Sequence, residues 1–282
     1  MKGSIRKDER NKKYSDPAAV GDFVEIELNA DGTASINEIL PRQNAFSRKD
    51  GTSVKEDVIA ANIDLVVAVQ CFGDPAFNPR FVDRLAVRAM MDDIPLVLCM
   101  NKYDLADDET CQYINDYYEK TDVQIVYVSA EEGTGIDDFR KLLKDKISIF
   151  AGYSGVGKSS LLNALYPSAE LPVSEVSEST RKGRHTTTNV EMIFTDAHTA
   201  LIDTPGMREF GLPEMEPEDL SKYFYEFKTN ERKCKFFPCS HDHEPECEIK
   251  DRVELSEIST GRYISYLNIL ESLRYNKNNR YS

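Results

Sequence analysis

Gly152-Tyr153-Ser154-Gly155-Val156-Gly157-Lys158-Ser159 is the stretch on which the fold turns. It fits G-x-x-x-x-G-K-[ST], the phosphate-binding loop. The apolar run Ile147 to Ala151 precedes it and reads as a strand; Ser160 to Leu165 follows with helix-like composition. Strand, loop and helix in that order are the context the motif requires. The glycines let the backbone curl so that successive N–H groups point at one phosphate. The helix N-terminus adds its partial positive charge. Gly152, Ser154, Gly155, Val156, Gly157, Lys158, Ser159 and Ser160 are therefore candidate nucleotide contacts. Lys158 supplies a full charge to the β/γ-phosphates and counts as a catalytic group. The Ser159 hydroxyl can ligate Mg²⁺.

Four further motifs match this loop. Asp203-Thr204-Pro205-Gly206 ends an apolar run. An Asp there can hold Mg²⁺ through water, and the Gly206 N–H can meet a γ-phosphate. Asn101-Lys102-Tyr103-Asp104 ends another apolar run and reads guanine. The Asp104 carboxylate can accept from the ring N–H and exocyclic amine of guanine, a donor pair adenine lacks. Buried hydrogen-bonding groups reject the wrong base strongly, because they are left unpaired. This argues against an ATP-using enzyme. The Lys102 stem can lie along the purine face. Ser129-Ala130 ends the next strand and reads as a second base contact. Gly183-Arg184-His185-Thr186-Thr187-Thr188 reads as a switch, with Thr187 closing over Mg²⁺ and the γ-phosphate and Thr186 as the alternative. The polar stretch Ser174 to Arg184 around it is expected to be mobile without nucleotide.

The order of these motifs carries information. The guanine motifs come first, and the phosphate loop, switch threonines and D-T-P-G follow. In Ras-like GTPases the phosphate motifs lead, so this chain is circularly permuted, with the cut just after D-T-P-G. The switch then runs directly into the C-terminal region, and loss of the γ-phosphate is expected to reposition it. Hydrolysis needs an oriented water. The residue after Gly206 is Met207, which cannot orient one, so another residue or a partner must complete the site. His185 is the nearest catalytic candidate. Slow intrinsic turnover with strong activation by a partner follows; one supplied group can be worth about 10³–10⁵ in rate.

Around this centre the chain divides into three. Residues 1–57 read as a β-rich, partial barrel-like domain: Gly21 to Leu28 alternates apolar and acidic residues, Asn29-Ala30-Asp31-Gly32 signals a hairpin turn, and Thr33 to Leu40 returns. Ser4-Ile5-Arg6 is a weak strand before it. Ser47 to Thr52 reads as a linker. Residues 58–211 alternate strands (Asp64 to Val69, Pro95 to Met100, Val123 to Val128, Val190 to Phe194, Thr199 to Ile202) with helices (Pro79 to Met91, Asp107 to Glu119, Ile136 to Lys144), a doubly wound α/β pattern of about six strands. Residues 212–282 read as helical at Pro217 to Phe227, Cys247 to Glu254 and Gly261 to Tyr275.

A net charge of −14 argues against a generic nucleic-acid binder. Any RNA contact must be local, and Arg6–Lys13, Arg181–Arg184 and Lys228–Lys235 are the basic patches; each alone reads as a solvated face. No apolar run approaches the roughly 20 residues of a membrane span, and the charged Met1 to Lys13 is no secretory signal. A cytoplasmic protein is expected. Cys71, Cys99 and Cys111 are isolated and read as core residues or free thiols. Cys234-x4-Cys239-x-His241-x5-Cys247 is different: three thiolates and one imidazole suit tetrahedral Zn²⁺ in a closed structural site, with His243 as a competing ligand. Such a site would pin a region with little core of its own.

The permuted order, G-R-H-T-T-T, D-T-P-G-M-R-E-F-G-L and C-x4-C-x-H-x5-C together resemble the ribosome small-subunit-dependent GTPase family, RsgA (also YjeQ or YloQ). The resemblance covers nearly the whole chain. It implies an N-terminal OB-fold, here lacking its first strands, then a permuted GTPase domain and a C-terminal zinc-binding domain. It implies GTP hydrolysis stimulated by the small ribosomal subunit late in its maturation, with rRNA contacts from the flanking domains. It places the catalytic histidine on His185 and the zinc ligands on Cys234, Cys239, His241 and Cys247. A monomer is expected, using GTP/GDP, Mg²⁺ and one Zn²⁺. The competing reading is an RNA-binding nucleotide switch with negligible turnover, which Met207 favours.

Overall fold

A computed structural model of the chain describes residues 13–49, 55–167, 190–204, 210–213, 215–228 and 233–279. Its centre is a six-stranded sheet built from β5 (Leu65–Cys71), β6 (Leu96–Asn101), β7 (Gln124–Tyr127), β8 (Ile147–Ala151), β9 (Glu191–Phe194) and β10 (Ala200–Asp203), in the order β7-β6-β5-β8-β10-β9. All neighbours run parallel except β9, which pairs antiparallel with β10. β5 and β6 are buried along their whole length, so they need no alternation with polar residues.

Alternate residues of these strands feed two cores. Val66, Ala68, Leu98, Met100 and Ile149 face α1 (Pro79–Met91) and α2 (Asp108–Tyr118). Val67, Val69, Cys99 and Phe150 face α3 (Ile136–Leu143) and α4 (Lys158–Leu165). Strand order reverses between β5 and β8, and the helices change face at the same place. A doubly wound sheet opens its crevice at such a switch point, outside the carboxyl ends of the strands. The phosphate loop leaves β8 there.

The N-terminal region forms two separate ladders. β1 (Val24–Leu28) pairs antiparallel with β2 (Ala34–Ile39), joined by the expected turn, where the Gly32 N–H reaches the Asn29 carbonyl over 3.1 Å. β3 (Ala45–Arg48) pairs antiparallel with β4 (Asp57–Ala61). The ladders do not close into a barrel among the described residues, and Ser4-Ile5-Arg6 lies outside them. β3 corrects the sequence reading, which placed a linker from Ser47. Ser47 is fully buried and donates to Glu56 over 2.6 Å, so its polarity is satisfied inside the fold. Phe46 of β3 lies against Phe210, ring centroids 5.4 Å apart. Arg88 of α1 donates to the Ala45 and Ser47 carbonyls.

The C-terminal region holds α5 (Glu248–Glu254) and α6 (Thr260–Asn279), and docks on α1 and α2 through α6. The helix expected over 217–227 is instead two 3-10 turns, Pro217–Tyr223 and Tyr225–Phe227. They break at Phe224, whose extended backbone turns a fully buried ring edge-on to Tyr266, 5.1 Å away. A buried charge cluster fastens the dock. Arg262 of α6 pairs with Glu226 (2.8 Å) and with Asp83 of α1. Asp83 also accepts from the hydroxyls of Tyr117 (2.8 Å) and Tyr118 (3.1 Å) of α2. The fit beside Arg262 is close. A Cβ on Gly261 would stand 2.5 Å from the Tyr117 ring. Cys71 and Cys99 are free thiols in the core, as expected. No helix among the described residues is long and apolar enough to cross a membrane.

Candidate functional site

Asn101 ends β6 with its side chain almost wholly buried. Its Nδ2 donates to the Val156 carbonyl (3.0 Å) and more weakly to that of Gly157 (3.4 Å). Its Oδ1 accepts from the Ala130 N–H at 3.2 Å. One amide therefore ties the phosphate loop to both segments expected to read the base. Gly157 is required at this junction: its φ is +85°, and a Cβ there would stand 2.5 Å from Asn101 Nδ2.

Lys102 follows in a left-handed conformation, and its Nζ reaches the Asp74 carbonyl over 2.7 Å. Asp104 accepts from Ser129 Oγ at 2.5 Å, and the same Oγ accepts from the Glu132 N–H at 3.1 Å. Ser129 is fully buried, so it fixes the carboxylate's orientation from beneath. That oriented carboxylate can take two donors from guanine. The N–H of Ala130, the other residue expected to contact the base, is engaged by Asn101.

On the phosphate side, Lys158 opens α4. Its Nζ donates to the carbonyls of Gly152 (2.7 Å) and Tyr153 (3.3 Å). Burial pulls this ammonium below its usual range, while Asp203 opposes that shift. Asp203 ends β10 beside Phe150, and the Thr204 hydroxyl fastens the end of β10 to β8 by donating to the Phe150 carbonyl over 2.7 Å. Burial raises the Asp203 carboxyl, with Lys158 acting against it. Its Oδ1 is buried with no hydrogen-bond partner among the described residues. An acceptor left in this condition suits a hydrated divalent cation, which prefers carboxylate and hydroxyl oxygens. The Asp203 acceptor thus fits Mg²⁺, and Ser159 at the head of α4 offers a hydroxyl of the kind such an ion takes. In the loop Gly152 and Val156 are buried and Gly155 half-buried, while Ser154 and Ser160 are exposed. His185, Thr186, Thr187, Gly206 and Met207 lie outside the described residues, as do Arg181–Arg184 and the rest of the switch.

The second cluster is Cys234, Cys239, His241 and Cys247, whose ligand atoms all lie within 4.8 Å of one another. Cys247 Sγ stands 3.9 Å from Cys234 Sγ, 3.8 Å from Cys239 Sγ and 3.4 Å from His241 Nδ1. A tetrahedron with Zn–S bonds of about 2.3 Å has S···S edges of about 3.8 Å, so this donor set fits zinc. Tyr263 and Tyr266 of α6 donate to the carbonyls of His241 and Ser240, each over 2.7 Å. Glu244 accepts from the N–H groups of Ser240 (2.7 Å) and Asp242 (3.1 Å). His243, the competing ligand, is turned to solvent with its side chain 77% exposed.

Residues 39–213 match the sequence profile of the RsgA GTPase family. The small ribosomal subunit biogenesis GTPase RsgA 2 of Bacteroides thetaiotaomicron is 39% identical over 275 residues, covering 96% of this chain and 88% of that protein.

The chain belongs to the RsgA GTPase family.

The small ribosomal subunit biogenesis GTPase RsgA of Chlorobaculum parvum is 41% identical over 268 residues, spanning 92% of this chain and 86% of the relative. Among solved structures, YjeQ from Thermotoga maritima superposes with a TM-score of 0.72 at 31% identity, covering 95% of this chain and 88% of its own. YloQ, described as a circularly permuted GTPase, gives 0.69 at 28% identity, covering 96% and 85%. The permuted order read from the motifs is thus the order of the RsgA fold. Sequence reasoning passed over Tyr153. The motif leaves that position free, yet its hydroxyl accepts from Asn78 Nδ2 at 3.2 Å and its ring lies 4.7 Å from Phe81. An aromatic residue in a loop built to curl around phosphate was the signal available.

Proposed function

We propose that this chain hydrolyses GTP in the cytoplasm, stimulated by the small ribosomal subunit, and acts in that subunit's late maturation. The observation that carries the reading is the Asn101 bridge, which ties the end of the N-K-x-D strand to the phosphate loop and to Ala130. The curated relatives' names, small ribosomal subunit biogenesis GTPase, support the choice of activator. In this reading Asp104 holds guanine, with Lys102 along the purine face and Ser129 and Ala130 behind it. The N–H groups from Gly152 to Ser160 and the Lys158 ammonium receive the phosphates. Mg²⁺, held by Ser159 and Thr187 and through water by Asp203, neutralises charge between the β- and γ-phosphates. Gly206 meets the γ-phosphate and His185 orients the attacking water. Zn²⁺ on Cys234, Cys239, His241 and Cys247 holds the C-terminal domain folded.

The domain division 1–57, 58–211 and 212–282 goes with this reading, with the partial OB-like region and the C-terminal domain contacting rRNA and the chain acting as a monomer. The deciding experiment is phosphate release from GTP with and without purified small subunits. Stimulation of at least about 10²-fold is expected, below the roughly 10³–10⁵ that one fully supplied catalytic group can be worth. GTP binding without stimulation would leave a nucleotide switch in its place. His185→Ala should abolish the stimulated rate and leave GTP affinity intact.

A further inference from the structure

We propose that Tyr153 is a positioning residue that fastens the phosphate loop to α1 and, through Asp83 and Arg262, passes the loop's setting to the zinc cluster. The inference rests on the guanine-nucleotide reading above and adds a route to it.

The route begins at the head of α1. Asn78 caps this helix with its Oδ1 toward the Phe81 N–H, 3.4 Å away. That leaves its amide NH₂ pointing at the Tyr153 hydroxyl, 3.2 Å off. Gln70 of β5 holds Asn78 from behind, accepting from its backbone N–H at 3.0 Å. The Tyr153 ring packs on Phe81, so hydroxyl and ring both seize the helix's first turn. Asp83 follows on α1, fully buried, and pairs with Arg262 in the first turn of α6. Tyr263 and Tyr266, just beyond, hold the carbonyls of His241 and Ser240. Every joint lies within a helix or is a partly or wholly buried hydrogen bond, ion pair or ring contact, the sort of connection through which energetic coupling can pass.

The loop also has a reason to shift. The Lys158 ammonium donates to the Tyr153 carbonyl over 3.3 Å and to the Gly152 carbonyl over 2.7 Å. A phosphate competing for the same three protons displaces the longer bond first. The residue whose carbonyl is released is the residue whose side chain grips α1.

Hydrogen exchange on the full-length, zinc-loaded protein, with and without saturating Mg·GDP, tests the route. In the parent protein GDP should slow exchange in the first turns of α1 and α6 and at residues 240–241. Tyr153→Phe keeps the ring and removes the hydroxyl. It should weaken GDP by roughly 2- to 10-fold, the worth of one hydrogen bond. It should also cut the GDP-dependent slowing at 240–241 to less than half, with nucleotide-free exchange there unchanged. Space filling alone would move the nucleotide-free rates instead. Asp83→Asn, which interrupts the route downstream, should abolish the response at 240–241 while sparing the one in α1. An undiminished response at 240–241 in Tyr153→Phe overturns the inference, as does a parent protein that binds GDP without responding there. Failure of the parent to bind GDP at all would instead sink the guanine-nucleotide reading.

Discussion

The Asn101 side chain donates to the Val156 carbonyl over 3.0 Å, so the end of β6 and the phosphate loop cannot move independently. Its other face holds the Ala130 N–H. Asn101→Ala would orphan buried partners on both sides, at about 1–3 kcal/mol for each unsatisfied group. We expect GTP and GDP to weaken together by more than about tenfold. Their ratio should stay the same, because no part of this bridge reaches a γ-phosphate. Titration with fluorescent GDP and a non-hydrolysable GTP analogue checks this. Selective loss of the triphosphate would mean that Asn101 does something else.

Asp104 is held by the Ser129 hydroxyl at 2.5 Å, with its remaining acceptor capacity available to a base. In Asp104→Asn the side chain gains an NH₂ and loses an acceptor. Xanthine offers an oxygen where guanine offers its amine. Guanine affinity should fall by about 10³-fold or more, since a hydrogen-bonded site rejects a mismatched group strongly. Xanthosine diphosphate should bind the variant better than GDP does, measured by competition. Unchanged preference for GDP would remove Asp104 from the base site.

Much of this was legible in the sequence for definite physical reasons. Buried parallel strands read as unbroken apolar runs, so β5, β6 and β8 were placed within a residue or two. The phosphate loop and N-K-x-D need fixed spacing, so they survive permutation. β3 was missed because Ser47 and Arg48 look like loop residues. Only the fold brings Glu56 to Ser47. The Arg262–Asp83 pair was beyond reach for a related reason: 179 residues separate its members, and neither lies in a motif. The zinc spacing was legible, but not that His243 turns outward. Short-range patterns show in a sequence; partners that meet across the fold do not.

That long-range pair makes its own prediction. Arg262→Met keeps the length and apolar stem of the side chain but leaves Asp83 and Glu226 buried without their cation. Removing one partner of a buried pair costs about 3–5 kcal/mol. The C-terminal region should undock, visible as a lower Tm and as proteolysis between 228 and 260. The triple variant Arg262→Met, Asp83→Asn, Glu226→Gln removes the stranded charges and should recover at least half of the loss. No recovery would mean that packing against Phe224, 4.6 Å from the guanidinium, is what Arg262 provides.

The cysteine–histidine cluster predicts one zinc per chain by elemental analysis. A strong chelator should remove it and unfold residues 234–254 with it, because Cys247 and Ile249 are the only apolar residues of that segment fully buried among the described residues. Cys239→Ser should lower the zinc content to well under half and reduce Tm by several degrees, while His243→Ala leaves both unchanged. Full zinc retention in Cys239→Ser would point to a ligand set other than these four.

Asp203 sets stability against function at one atom. Its Oδ1 is buried and unpartnered among the described residues, and burial disfavours its charge. A buried group in that condition costs the fold free energy unless a cation or donor answers it. Asp203→Asn removes the charge at nearly constant volume. The variant should therefore melt higher than the parent when neither Mg²⁺ nor nucleotide is added. Mg·GDP should then reverse the ranking, because a ligand stabilises in proportion to how tightly it binds the folded state. The parent should gain several degrees on adding Mg·GDP and the variant little, while metal-free GDP shifts both about equally. If the variant gains as much from Mg·GDP as the parent does, Asp203 takes no part in holding the metal.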